Sequence, residues 1–169
     1  MKPYIHYAAA GALALAGLLA TSTAHAGEQL KPLTAQCLAE SAERHGVMQM
    51  ELLMILHVER GTSGQTTGNS NKTYDIGLFQ INSIHLKELA GYGITESMLK
   101  NDGCLNAEVA AWHLARVAPA EKLAQAKSED EYLSLLANYH SVTPKYNRIY
   151  SGLLKNAFNA MQRQQGGRT

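Results

Sequence analysis

Residues 51–59 read Glu51-Leu52-Leu53-Met54-Ile55-Leu56-His57-Val58-Glu59. After a polar loop, residues 73–82 read Thr73-Tyr74-Asp75-Ile76-Gly77-Leu78-Phe79-Gln80-Ile81-Asn82. Leu52, Ile55, Leu56 and Glu59 fall at i, i+3, i+4 and i+7, so the spacing predicts a helix on which they share one face. A carboxyl set among leucines is costly to ionise and easy to keep protonated. The partial negative charge of a helix C-terminus acts in the same direction. A general acid needs that environment. From helix position alone, Glu59 also reads as a solvated carboxylate, or one paired with Arg60. Gln80 and Asn82 are amides of the kind found in a cleft that holds a sugar, and they read equally as caps that satisfy loop backbone.

Nearly everything outward from these stretches reads as helix. Thr34 caps a first helix through His45, with Gly46 ending it, and a second runs from Met48 to Arg60. Residues 61–71 are a loop of turn formers, of a length more often functional than idle. Residues 74–82 show some alternation, but Gly77 argues against a regular strand. Short helices follow over residues 83–89 and after Thr95, then a longer one over residues 106–117 that Pro119 closes. Ser128-Glu129-Asp130-Glu131 has the spacing of a capping box for a helix reaching His140. Thr143-Pro144 starts the last helix. Residues 162–169 are polar and glycine-containing, and read as a disordered tail.

Residues 1–26 read as a secretory signal peptide. Lys2 is their one formal charge, residues 8–20 are apolar, and Ala24-His25-Ala26 is a cleavage site. The apolar core is too short for a membrane span. Loss of Lys2 would leave the basic residues equal in number to the 14 acids. A formally neutral chain implies no large attraction to nucleic acid or anionic membrane. Cys37 and Cys104 are the two cysteines. An exported chain with an even number usually pairs them. A bridge closing so long a loop contributes about 4 kcal/mol in the chain-entropy model. The alternative is two unpaired buried thiols. His57, His85 and His113 show no metal-ligand spacing, and neither a metal nor a cofactor is expected.

Glu59, the polar loop, residues 74–82 and Leu135-Leu136-Ala137-Asn138-Tyr139, in that order, resemble the soluble lytic transglycosylase family. Cys37, Tyr92-Gly93-Ile94-Thr95, Cys104 and Ala111-Trp112 make the chain similar to the small specialised members that accompany secretion, conjugation and pilus machines. The resemblance covers residues 35–150. It implies a mainly α, lysozyme-like single domain of the goose-type class, with little or no β structure, over residues 27–161.

The resemblance matches the family's catalytic glutamate to Glu59 and its glycine-rich signature to residues 77–82, with Gly77, Gln80 and Asn82 on the substrate cleft. Phe79 would pack beside the acid. Tyr139 matches a tyrosine whose hydroxyl points at the glutamate and the reacting sugar, although its spacing after Leu135 and Leu136 also suits a core tyrosine. Two positions depart from the pattern. Arg60 stands where serine is common, and His140 where asparagine is common. The implied activity is cleavage of the β-1,4 bond between N-acetylmuramic acid and N-acetylglucosamine, with formation of a 1,6-anhydro ring. The implied partners are peptidoglycan glycan strands and components of an envelope machine, met by a periplasmic monomer. Two alternatives stay open: a hydrolytic muramidase using Asp75 as second carboxylate, and a glycan-binding assembly protein without catalysis.

Overall fold

Local sequence signals set most element ends. In a computed structural model describing residues 29–167, the chain forms eight α-helices, three short strands and two 3-10 turns among the described residues. Helix α1 (Ala35–His45) starts at Thr34, whose side chain accepts from the Cys37 N–H, and stops at Gly46 in the left-handed region at φ 65°. Helix α2 (Gln49–Glu59) follows almost at once. Strands β1 (Thr66–Gly68), β2 (Tyr74–Ile76) and β3 (Ile81–Asn82) form one antiparallel sheet in the order β1-β2-β3. A 3-10 turn over Ser83–His85 leads into α3 (Leu86–Ala90). Helices α4 (Glu96–Asn101), α5 (Gly103–Val117), α6 (Ala120–Ala124) and α7 (Glu129–Leu136) come next. A second 3-10 turn, Ala137–Tyr139, precedes α8 (Pro144–Gly166).

The architecture is mainly α, as the sequence implies. Differences from expectation have physical causes. The stretch 74–82 is a tight hairpin rather than an irregular segment. Gly77 breaks the strand as expected, but by supplying the turn: its φ is 69°, a region glycine enters without steric cost. Helix α5 begins at Gly103, earlier than predicted, because the Asp102 side chain caps it by accepting from Cys104 and Leu105 N–H groups. Pro119 closes α5 and also starts the unpredicted helix α6. Helix α8 continues to Gly166, so residues 162–166 are helical where a disordered tail was expected; glutamine and arginine are good helix formers. The expected signal peptide, residues 1–26, lies outside the described residues.

Helix α5 is the central element. Val109, Ala110, Ala111 and Leu114 are buried along it. They pack with Leu52 and Ile55 of α2, Ile76 and Phe79 of the hairpin, and Leu136 and Leu154 of α7 and α8. Cys37 and Cys104 form a disulfide that joins α1 to the first turn of α5. The start of α2 is fixed by Glu51, a buried carboxylate. It accepts from the Met48 N–H at 2.8 Å and from the Tyr132 hydroxyl of α7. Burying that charge is tolerable because both carboxylate oxygens have donors.

Candidate active site

Glu59 is the last residue of α2, and Arg60 caps the helix at φ 51°, with its N–H donating to the Leu56 carbonyl. Positive φ is uncommon for a residue with a side chain. It turns the chain sharply, so that the next residue lies against the hairpin. The Gly61 N–H donates to the Leu78 carbonyl at 3.2 Å. A Cβ on Gly61 would come within 2.0 Å of the Gly77 carbonyl oxygen, so glycine is required there. The C-terminus of α2 and the 77–80 turn are thereby locked face to face.

The Glu59 Oε1 accepts a 2.6 Å hydrogen bond from the hydroxyl of Tyr150, on α8. The carboxyl is pushed up to about 7: burial raises it most, the Tyr150 hydrogen bond opposes, and the negative charge of Asp75 adds to the rise. A group poised near neutrality can give and retake a proton in one cycle. Tyr150 itself is held neutral, its pKa raised by burial and by the Glu59 charge. Asp75 lies on the middle strand, paired with Thr67 on one side and Asn82 on the other. Its carboxylate accepts from Asn69 Nδ2 at 3.0 Å and Asn82 Nδ2 at 2.7 Å.

The structure places the other sequence-derived candidates around this pair, with different duties. Tyr139 is buried, and its hydroxyl donates to the Phe79 carbonyl at 2.8 Å rather than to Glu59. The expected hydrogen bond from tyrosine to the acid is made by Tyr150 instead. Burial, with the charges of Glu59 and Asp75, raises the Tyr139 pKa well above the ordinary value. Phe79 is fully buried, so its ring has no surface to offer a sugar. Gly77 is also buried, with its would-be Cβ 2.6 Å from Asn106 Nδ2. Gln80, at φ 51°, donates from Nε2 to the Gly77 carbonyl at 2.8 Å and so closes the turn. Asn82 divides its amide between Asp75, Thr73 and the Ile84 N–H. Gln80 and Asn82 are partly exposed, whereas Phe79, Gly77 and Tyr139 shape the site from behind.

Two residues escaped the sequence reading. Tyr150 is the first; its one signal was position, because Asn147, Tyr150, Leu154 and Ala157 mark the buried stripe of α8. The second is Asn106, with 1% exposure. Its Oδ1 accepts from the Phe79 N–H at 2.8 Å, and its Nδ2 donates to the Ile76 and Leu99 carbonyls at 3.0 Å each. A buried asparagine on an apolar helix face gave no hint of these partners. Behind Tyr139, His113 Nε2 lies 3.1 Å from the Tyr139 carbonyl oxygen, and the His85 ring lies 4.7 Å from that of His113. Burial, chiefly, brings His113 down to about 4. Among the described residues, no group of His, Cys, Asp and Glu has the arrangement to hold a metal ion.

The fold is thus a mainly helical domain that sets a part-buried carboxyl at the C-terminal end of a helix, over a glycine-containing turn. Residues 36–137 match the Transglycosylase SLT domain family, a span of well over half of the chain, and the protein belongs to that family. It is also similar to Protein IpgF of Shigella flexneri, with 33% identity over 78 residues, 46% of this chain and 51% of that protein. The chain thus spans about half the length of the curated relative it matches. The family match takes in Glu59, the hairpin and Asn106. It ends before Tyr139, His140 and Tyr150.

Proposed function

We propose that this protein is a peptidoglycan lytic transglycosylase with Glu59 as its one catalytic acid and base. Protonated Glu59 gives its proton to the bridging oxygen between N-acetylmuramic acid and N-acetylglucosamine as the bond from that oxygen to the muramic C1 breaks. The positive charge at C1 is steadied by the sugar's own N-acetyl oxygen. Glu59, now a carboxylate, takes the proton of the muramic C6 hydroxyl as O6 bonds to C1. A 1,6-anhydro ring forms, no water is consumed, and the acid returns to its starting state. The observation that carries this reading is the Glu59 carboxyl, raised to about 7 by burial while the Tyr150 hydroxyl holds it at 2.6 Å. Tyr150 orients the carboxyl and supports its charged form. Tyr139 and Asn106 hold the turn that backs the cleft, and Gln80 and Asn82 face the glycan.

One observation favours a second reading. Asp75 is near enough for its charge to raise Glu59, and a second carboxylate is what a muramidase needs to direct water to C1. Digestion of purified sacculi with products read by mass spectrometry separates the two, since an anhydro end is lighter than a reducing end by one water. Anhydro products from the wild type and none from Glu59→Gln are expected. Reducing-end products would establish the muramidase. Sacculus binding without products from either protein would leave a glycan-binding role.

The setting we propose is the periplasm, reached by export, where a small monomeric enzyme opens the wall locally for a secretion, conjugation or pilus apparatus. The ordered motif set supports this. No helix among the described residues is long and apolar enough to cross a membrane.

A further inference from the structure

His140 lies beyond the residues matched to the family, and it touches the site through Tyr150. The two rings stack in parallel, with centroids 4.9 Å apart and an interplanar angle of 3°. Tyr150 in turn donates to Glu59. His140 is exposed, but its backbone is held. Its N–H donates to the Ala137 carbonyl at 3.1 Å, as does that of Ser141. Asn147 of α8 then ties the segment down, donating from Nδ2 to the Ser141 carbonyl at 3.1 Å and to Asn138 Oδ1 at 3.0 Å. The imidazole is therefore presented to Tyr150 from a pinned backbone.

We propose that His140 is a positioning residue for Glu59, acting as a ring clamp on Tyr150. A tyrosine side chain has two soft torsions, and a hydrogen bond weakens steeply as its angle departs from linearity. A parallel ring on one face leaves Tyr150 little freedom to swing. Its hydroxyl stays aimed at Glu59 Oε1, where the bond favours the carboxylate and restrains the rise that burial causes. An asparagine at position 140 offers no such flat surface. The clamp thus sets where the acid titrates. Its catalytic consequence rests on the reading of Glu59 as the acid; its effect on the carboxyl does not.

The groups that face Glu59 are Asp75 from β2, Tyr139 from the second 3-10 turn and Tyr150 from α8. All three are retained in the informative single variant, His140→Ala. The experiment is a carbon-13 NMR titration of the Glu59 carboxyl in the mature protein, beside His140→Ala, His140→Phe, Tyr150→Phe and the double variant His140→Ala/Tyr150→Phe. The carboxyl of His140→Ala is expected to titrate at higher pH than wild type, shifted in the same direction as in Tyr150→Phe but by less. His140→Phe, which keeps a flat ring without the imidazole nitrogens, restores the wild-type value. In the Tyr150→Phe background, His140→Ala adds nothing, because no hydroxyl remains to aim. An unchanged titration in His140→Ala, an equal extra shift in the double variant, or failure of phenylalanine to restore the value would each overturn the clamp. Sacculus digestion by the same set is expected to show kcat reduced severalfold in His140→Ala with KM little changed. Absence of any products from wild type would count against the transglycosylase reading and leave the NMR result standing on its own.

Discussion

Glu59 is a residue whose usefulness and cost have one origin. Burial lifts its carboxyl from the ordinary 4.5 to about 7. The folded protein therefore binds a proton that the unfolded chain has already released between those two pH values. Stability falls as pH rises through this window, and above it the penalty is complete. Glu59→Gln, which keeps an oxygen to accept from Tyr150, removes the charge and so the penalty. We expect the variant to be more stable than wild type by about 1–3 kcal/mol at pH 8, and the difference to vanish near pH 4. Urea unfolding at the two pH values checks this. Equal stability at pH 8 would mean that the carboxyl is well solvated, and would remove the main physical support for its role as an acid.

At the scale of elements, the site depends on a hairpin too short to stand alone. Strands of three and two residues, β2 and β3, cannot hold a turn in place by their own pairing. Helix α5 does so through Asn106, which satisfies the Phe79 N–H and the Ile76 and Leu99 carbonyls together. The Tyr139 hydroxyl completes the arrangement at the Phe79 carbonyl. Asn106→Ala would leave a buried donor and two acceptors without this partner. Its expected cost is about 2–4 kcal/mol, read by denaturant unfolding, with a loss of sacculus digestion larger than the loss of folded protein explains. A cost below about 1 kcal/mol would show that the turn holds itself. The helix ends show how much of this scale is local. Thr34, Thr95, Asp102 and Ser128 all cap the helices that follow them, and three of those starts lie where the spacing predicted. Helix α5 differs because Asp102 captures two N–H groups ahead of the predicted start.

The whole molecule is closed by one covalent tie. The Cys37–Cys104 bridge spans 67 positions of sequence, and the loop it closes contains α2, the sheet, α3 and α4. Every part of the candidate site before α5 is therefore tethered between two helices that pack on each other. Removing the bridge with Cys37→Ser/Cys104→Ser is expected to cost about 2–4 kcal/mol, or about 10 °C in Tm, measured by calorimetry beside a reduced wild-type sample. A change of under about 2 °C would mean that the packing of α1 on α5 already confines the unfolded loop. Tyr139, His140 and Tyr150 lie outside this loop, on the C-terminal elements. Their approach to Glu59 rests on noncovalent contacts, Tyr139 with His113 of α5 and the Phe79 carbonyl, and Tyr150 with Glu59 itself.

The sequence by itself determined most of the helices and the caps at Thr34, Thr95 and Ser128, kept Gly77 out of a regular strand, and offered Glu59 as a candidate acid and a bridge between the two cysteines. The helices, their caps and the break at Gly77 rest on interactions within about one helical turn or one tight turn of chain, which spacing and residue type report directly; the choice of Glu59 came from the order of motifs that follow it, and the pairing from an even count of two. Only the tertiary structure decided which tyrosine meets the acid. Tyr150 lies 91 positions from Glu59, and Tyr139 lies 60 from the Phe79 carbonyl it bonds instead. Both are tyrosines on apolar stripes, equally suited on paper to either task. The register of α8 against α2 separates them, and that register is set by the packing of many side chains at once. The same holds for Asn106, whose three partners come from two different elements, and for the ring of His140, which becomes meaningful only once Tyr150 is seen beside it.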